Sequence, residues 1–255
     1  MGGALLAGWL DQGTRPDDLV VVDPHYDPAD GPAGIRAFAS AASLPSDFSP
    51  EIVLLAVKPQ MMDEVLPPYA RFGGAVFLSI AAGRSIASLQ RCLGENAAIV
   101  RAMPNTPAAV RRGATGLIAN DRTSEAQKQL CDHLVAAVGE AVWVENESQL
   151  DAVTALSGSG PAYVFLMVEA LAAAGEKLGL PAEIAGILAR ATVSGSGELL
   201  RQSPLPAATL RQNVTSPNGT TFAALQVLME EKEGLGQLMR RATEAAARRA
   251  RELAG

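Results

Sequence analysis

Aromatic residues make up only 4% of this 255-residue chain, so the core it builds is aliphatic and alanine-rich, which suits close helix packing. Only two cysteines (Cys92 and Cys131) and two histidines (His25 and His133) occur. Neither cysteine stands at metal-ligand spacing, so no metal site is expected. Two reduced thiols are the expectation instead. Excess positive charge is lacking too: the formal net charge of -6 argues against a nucleic-acid surface. It does not argue against an anionic cofactor, because a local site can be positive on an acidic protein. No basic region precedes the apolar N-terminal stretch, as a signal peptide requires. The longest Ala/Leu-rich run, residues 161–174, carries Glu169 and is too short to span a bilayer, so a buried helix is expected there. Together these absences point to the cytoplasm, with neither membrane nor nucleic acid as a partner. What is present is 48% hydrophobic and 19% charged sequence, enough for packed cores in two domains.

The first part of the chain alternates between two kinds of signal. Residues 19–22, 52–57, 75–80 and 97–100 are short apolar runs. Continuous rather than alternating apolarity is the mark of a strand buried on both faces. Residues 3–10, 61–72 and 85–93 between them read as helices. Strand–helix repetition of this kind predicts a parallel, doubly wound sheet. Residues 115–119 and 141–144, flanking a helical stretch at 124–138, are expected to extend it. Beyond about residue 150 the strand signals stop. Helices are expected at 161–178, 181–200, 221–231 and 235–253, with a break at Ser203-Pro-Leu-Pro206. Pro161 suits a helix start, since its fixed φ is already helical and its missing N–H would have gone unpaired. The arginine-rich last helix reads as a solvated face. The expected domains are residues 1–148 and 149–255.

In an open parallel sheet, ligands bind beyond the carboxyl ends of the strands. There the sequence places Lys58-Pro59-Gln60, Ala81-Ala82-Gly83 and the Arg101–Pro107 segment. Small residues at strand ends let a ligand approach the backbone. Gly2 and Gly3 open the first helix as the tail of a glycine-rich loop would. Asp23 ends the next strand about 20 residues on, the distance expected of a carboxylate that bonds an adenosine ribose. The second region holds Asn213-Val-Thr-Ser-Pro-Asn-Gly-Thr-Thr-Phe222, small and polar residues in front of a helix. Two readings stand: an anion site at a helix N-terminus, or an ordinary start capped by Ser216 or Thr220.

Five segments occur in order: Ala56-Val-Lys-Pro-Gln60, Ser79-Ile-Ala-Ala-Gly83, Arg101-Ala-Met-Pro-Asn-Thr-Pro107, Leu156-Ser-Gly-Ser-Gly-Pro-Ala-Tyr163 and Val214-Thr-Ser-Pro-Asn-Gly-Thr-Thr221. The series resembles the pyrroline-5-carboxylate reductase family over essentially the whole chain. That resemblance implies a Rossmann-type parallel-sheet domain followed by an all-helical dimerisation domain, in a homodimer or higher homo-oligomer. It implies reduction of L-1-pyrroline-5-carboxylate to L-proline, the last step of proline biosynthesis, with NADPH or NADH. Carried over residue by residue, Gly2 resembles the last glycine of the phosphate loop. Ala56, Val57, Lys58, Pro59, Ala81, Ala82 and Gly83 resemble the cofactor-facing strand ends, and Asp23 faces the adenosine ribose. Ser216, Asn218, Gly219, Thr220 and Thr221 resemble the substrate loop, with backbone N–H groups of residues 218–220 on the carboxylate. Thr221 matches the catalytic hydroxyl that hydrogen-bonds the ring nitrogen. Lys58 has two readings, positive potential near the anionic substrate or a plain strand-end cap, and in either its role is local rather than acid–base.

The resemblance also marks departures. Asn218 stands where the family usually has Gly, and Asn tolerates left-handed backbone. Asp23 stands where NADPH-preferring members carry a small or hydroxyl residue. Met1 falls inside the glycine loop, and the expectation is an upstream strand with two more glycines, roughly ten residues. A β-hydroxy-acid dehydrogenase is the enzymatic rival. It would need a lysine on the first long helix of the second domain, where only Lys177 near the far end is available. The non-enzymatic rival is a nucleotide-binding paralogue without catalysis, against which the intact 216–221 loop argues.

Overall fold

The structure, a computed structural model, describes residues 1–27 and 31–254. The described residues divide into two compact units, residues 1–158 with 247–254 and residues 159–246. The first break therefore follows Gly158, ten residues later than the 148/149 division expected from the end of the strand signals.

The first unit opens with helix α1 (Gly2–Asp11). Strands β1 (Val20–Val22) and β2 (Arg36–Phe38) follow and pair in parallel as a two-stranded sheet. A second sheet has the order β3 (Ile52–Leu55), β4 (Val76–Ser79), β5 (Ala98–Met103), β6 (Gly113–Ala119) and β7 (Gly139–Trp143). Among the described residues the two sheets are not hydrogen-bonded to each other: β1 pairs only with β2, and β3 only with β4. All pairings are parallel except β5 with β6, which is antiparallel. Strands β6 and β7 extend the sheet as expected, with one antiparallel step in an otherwise parallel sheet. Residues 106–110 form a short 3₁₀ turn, a connection brief enough to return the chain antiparallel.

Strand β4 explains why continuous apolarity marked the sheet. Phe77 packs with Leu55, Met62, Leu66, Leu89 and Ile99 on one face. Val76 and Leu78 pack with Val100, Leu117, Cys131 and Val135 on the other. Alternate residues point to opposite faces, and helices cover both. On the first face lie α2 (Met62–Val65) and α3 (Ile86–Leu93), and on the second lies α4 (Glu125–Ala136). Ser124 caps α4 reciprocally with Gln127, satisfying donors of the first turn. A third cluster joins Leu5 and Trp9 of α1 to Ala108, Ala137 and Val138. The Trp9 indole N–H donates to the Leu134 carbonyl at 2.7 Å.

The single helix expected at 61–72 is instead three pieces: a 3₁₀ turn at Pro59–Met61, α2, and a 3₁₀ stretch at Pro67–Arg71. Pro67 and Pro68 supply no N–H for a continuing α-helix. The unit closes with α5 (Gln149–Val153), which runs into a π-helical turn at Thr154–Gly158.

The second unit is helical, with α6 (Gly160–Lys177), α7 (Ala182–Gln202), α8 (Ala207–Asn213) and α9 (Thr220–Leu228). Helix α10 (Leu235–Ala254) begins here, and its end belongs to the first unit. The break expected at residues 203–206 does separate α7 from the next helix, and α8, for which no helix was expected, follows it directly. The buried helix expected at 161–174 is corrected as well, because no residue of α6 is buried. The helical stretch 149–177 is long and apolar enough to cross a membrane by length and composition, and hardly any of it is covered by this chain. The arginines of α10 do form a solvated face, with Arg240 on Glu244 and Arg249 on Glu252.

Candidate active site

The carboxyl ends of β3 and β4 lie side by side, since the Ile80 N–H donates to the Leu55 carbonyl at 3.2 Å. Two of the expected cofactor-facing segments, 56–59 and 81–83, are thereby neighbours. Ala56, Lys58 and Ala82 are exposed, Val57, Pro59 and Gly83 half-buried, and Ala81 buried. Lys58 precedes the turn that Pro59 starts and keeps extended backbone, as a residue before proline does. Gly83 has φ +72°, a left-handed conformation that favours glycine. Helix α1 brings Gly2 to the same edge: a Cβ at Gly2 would lie 3.1 Å from the Ala56 Cβ, so any side chain there would crowd the strand end. Beside Gly3 the space is open. A helix N-terminus beside bare strand ends fits the bulk and charge of a dinucleotide pyrophosphate. Asp23 follows β1, exposed, with its Oδ1 accepting from the His25 N–H at 2.9 Å.

In the second unit, residues 215–219 turn into α9. Asn218 has φ +58°, and the Gly219 N–H donates to the Ser216 carbonyl at 3.1 Å. A Cβ on Gly219 would fall 2.3 Å from Ser216 Oγ and 3.2 Å from the Ser216 carbonyl oxygen, so a side chain there would make the Ser216 hydroxyl rotate away. The N-cap is Gly219, and no side chain caps the helix, which sets aside Ser216 and Thr220 as capping groups. The first-turn N–H groups of α9 have no acceptor within the helix. The Gly219 amide, expected on the substrate carboxylate, is instead engaged in the turn. Thr221 is half-buried, whereas Ser216, Asn218 and Thr220 are exposed.

Other polar residues of the first unit make contacts that the sequence did not signal. Asn105 is buried and doubly bonded: its Nδ2 donates to the Ser157 carbonyl at 3.0 Å, and its Oδ1 accepts from the Ala114 N–H at 2.9 Å. It lay inside a segment that the sequence marked, without a sign of this bridging. Arg84 pairs with Asp63, and Arg101 with Glu147. The Arg84 guanidinium, and then the Cys92 thiol, hold the Asp63 carboxyl below its usual range. Burial, with the Asp63 carboxylate beside it, pushes the Cys92 thiol up. Burial pushes the Cys131 thiol up to about 12. Both cysteines are free thiols, and neither has the lowered pKa of a nucleophile.

Small residues at parallel-strand ends, with a helix N-terminus beside them, give the first unit the build of a dinucleotide-binding α/β domain. The comparisons specify it further. A family model described as pyrroline-5-carboxylate reductase dimerisation matches residues 147–253. The chain is 42% identical to a pyrroline-5-carboxylate reductase of Pseudomonas aeruginosa, covering 100% of this chain and 93% of that one. A pyrroline-5-carboxylate reductase structure from Coxiella burnetii superposes with a TM-score of 0.92 at 36% identity, covering 100% of this chain and 95% of that one. A Plasmodium falciparum pyrroline carboxylate reductase with NADP bound matches with a TM-score of 0.81 at 28% identity, covering 100% and 95%. The chain belongs to the pyrroline-5-carboxylate reductase family.

Proposed function

We infer that this chain reduces the C=N bond of L-1-pyrroline-5-carboxylate to give L-proline, with NADPH or NADH as hydride donor. The observation that carries the reading is the turn at 215–219, which presents Thr221 on an uncapped helix N-terminus in a chain of this family. When bound, the nicotinamide supplies the hydride. The chain's own residues bind, orient and handle the proton. Gly2, Ala56, Val57, Lys58, Pro59, Ala81, Ala82 and Gly83 form the dinucleotide surface, and Asp23 faces the adenosine ribose. The backbone amides of Asn218 and Thr220, in the loop with Ser216 and Gly219, hold the substrate carboxylate. The Thr221 hydroxyl donates to the ring nitrogen, which orients the imine and eases protonation at that atom. Lys58, exposed at its strand end, adds positive potential.

Residues 1–148 serve as the dinucleotide domain and 149–255 as the helical substrate and dimerisation domain. The protein works in the cytoplasm as a homodimer or larger homo-oligomer. The match to a dimerisation family supports this, as do apolar residues left exposed on α6, among them Val164, Phe165, Leu166 and Met167. On this reading the apolar faces of α6 meet a second copy rather than a bilayer, and nucleic acid is not a partner. The test is oxidation of NADPH and of NADH on addition of L-1-pyrroline-5-carboxylate, with proline measured as product. Proline formed in step with cofactor oxidation is expected. Absence of proline with both cofactors would overturn the reading.

A further inference from the structure

The loop between β4 and α3 is fixed at its far end by two ion pairs that the reductase reading leaves unused. Arg84 follows Gly83 directly. It sets its guanidinium on Asp63, with Nη1 donating to Oδ2 at 3.2 Å and Nη2 donating to Oδ1. Asp63 belongs to α2, four residues beyond Pro59, so this fork ties the β4 loop to the β3 loop. A second carboxylate, Glu147, accepts through Oε1 from the Ile86 N–H at 2.7 Å and from Nη1 of Arg101. Ile86 opens α3 three residues after Gly83, where a carboxylate is favoured by the helix N-terminus. Ser85 adds its own cap, accepting from the Ser88 N–H at 3.1 Å.

These are not loose surface pairs on the arginine side: the Arg84 side chain is 16% exposed and that of Arg101 12%. Arg84 Nε is buried with no hydrogen-bond partner. The fork is therefore held at the expense of an unsatisfied donor, which a plain surface contact would not need. Asp63 and Glu147 approach from elements 21 and 61 residues away in sequence from the groups they hold. Between them they fix residues 84 and 86, immediately after the segment assigned to the dinucleotide.

We propose that Glu147, with Asp63 in support, is a positioning residue that holds the 81–83 loop in the geometry that receives the nicotinamide dinucleotide. The inference rests on the assignment of Ala81, Ala82 and Gly83 to that cofactor. A carboxylate that merely stabilised the fold would change the unfolding midpoint and leave the cofactor affinity of the folded protein alone. A positioning carboxylate changes the affinity itself.

The experiment titrates NADPH by fluorescence, without substrate, into the full chain and into Glu147→Ala, Glu147→Gln and Asp63→Ala. Thermal midpoints and the KM values for NADPH and L-1-pyrroline-5-carboxylate are measured alongside. Glu147→Ala is expected to raise Kd and KM for NADPH about tenfold, the scale of one lost hydrogen bond to a charged group, with KM for the imine unchanged. Glu147→Gln keeps an acceptor for Ile86 and is expected to recover most of the affinity. Asp63→Ala acts in the same direction but less, because the Asp63 side chain is 71% exposed. A lone Arg101 can destabilise the chain by itself, so Arg101→Met with Glu147→Met is measured too. The double variant is expected to regain the wild-type midpoint but not the NADPH affinity. Affinity returning with the midpoint, or unchanged affinity in Glu147→Ala, would overturn the proposal. The titration needs no turnover. Wild-type protein that binds NADPH or NADH yet makes no proline refutes the reductase reading while leaving the positioning test, run with whichever cofactor binds, intact, and wild-type protein that binds neither NADPH nor NADH refutes both.

Discussion

The two units of this chain use apolar side chains in opposite ways. In the first, Met62, Val76, Leu78, Leu89, Ile99 and Leu117 are each 0% exposed. In the second, Ala185 and Ala189 are the only apolar side chains buried among the described residues, while Phe165 is 61% exposed and Leu178 88%. The difference is geometric. A sheet covered by helices on both faces closes its own core, as β4 does with Phe77 on one side and Leu78 on the other. A helix such as α6 is apolar around most of its circumference, so one neighbouring helix cannot cover it. The first unit therefore carries the cooperative core of the single chain. The second carries its apolar surface outward, where the proposed second copy is to meet it.

Substitutions on the two sides of this contrast separate it into measurable parts. Phe77→Ala empties the middle of the first core and is expected to cost about 3–5 kcal/mol in denaturant unfolding. It should leave self-association of the folded fraction unchanged. A loss below about 1 kcal/mol would mean that the sheet core is not the main source of stability. Thr221→Val, in the second unit, should lower kcat/KM on the order of 10²-fold at wild-type unfolding stability. An unchanged kcat/KM would remove Thr221 from the mechanism. Phe165→Ala should weaken the dimer about 30-fold, as a central interface aromatic does, without altering the unfolding of the first unit. Sedimentation at several concentrations reads this directly, and an unmoved dimer constant places the interface elsewhere.

Smaller effects belong to the first unit. Asp23→Ser should shift the ratio of kcat/KM values toward NADPH by about tenfold, because a carboxylate repels a 2′-phosphate and accepts from a free 2′-hydroxyl. Equal ratios before and after would take Asp23 away from the ribose. The thiols give the finest probe. Thiolate forms only above the raised pKa values of Cys92 and Cys131. Near neutral pH, native protein should react slowly with a disulfide reagent and release two thiols on unfolding, Cys131 being the slower in the native state. Rapid native reaction at Cys131 would show that the β5–β6 face opens readily.

Legibility in the sequence followed how local each signal was. Strands β3 and β4 were visible because both faces are buried, which writes an unbroken apolar run. Strand β2 was not, because Arg36-Ala-Phe38 carries three residues of no pattern and owes its existence to pairing with β1. The helix expected at 61–72 came from apolar residues at helical spacing, and Pro67 and Pro68 outweighed that spacing. The turn at 215–219 was legible as a special segment, since Asn218 and Gly219 are residues that accept unusual backbone. That Gly219 N–H is consumed by Ser216, and that no side chain caps α9, depended on the path of the turn in space.

The amino-acid sequence alone determined the order of the elements, the alternation that makes a wound sheet, the strand-end segments and the family. Each of these is set by residues close together in the chain or by a series of short motifs. Only the tertiary structure decided the antiparallel return of β6, the division after Gly158, the exposure of α6 and the bridging by Asn105 and Glu147. Strand direction and burial depend on what lies across from a segment. The Glu147 contacts join groups 46 and 61 residues apart in sequence, a separation over which local pattern carries no information.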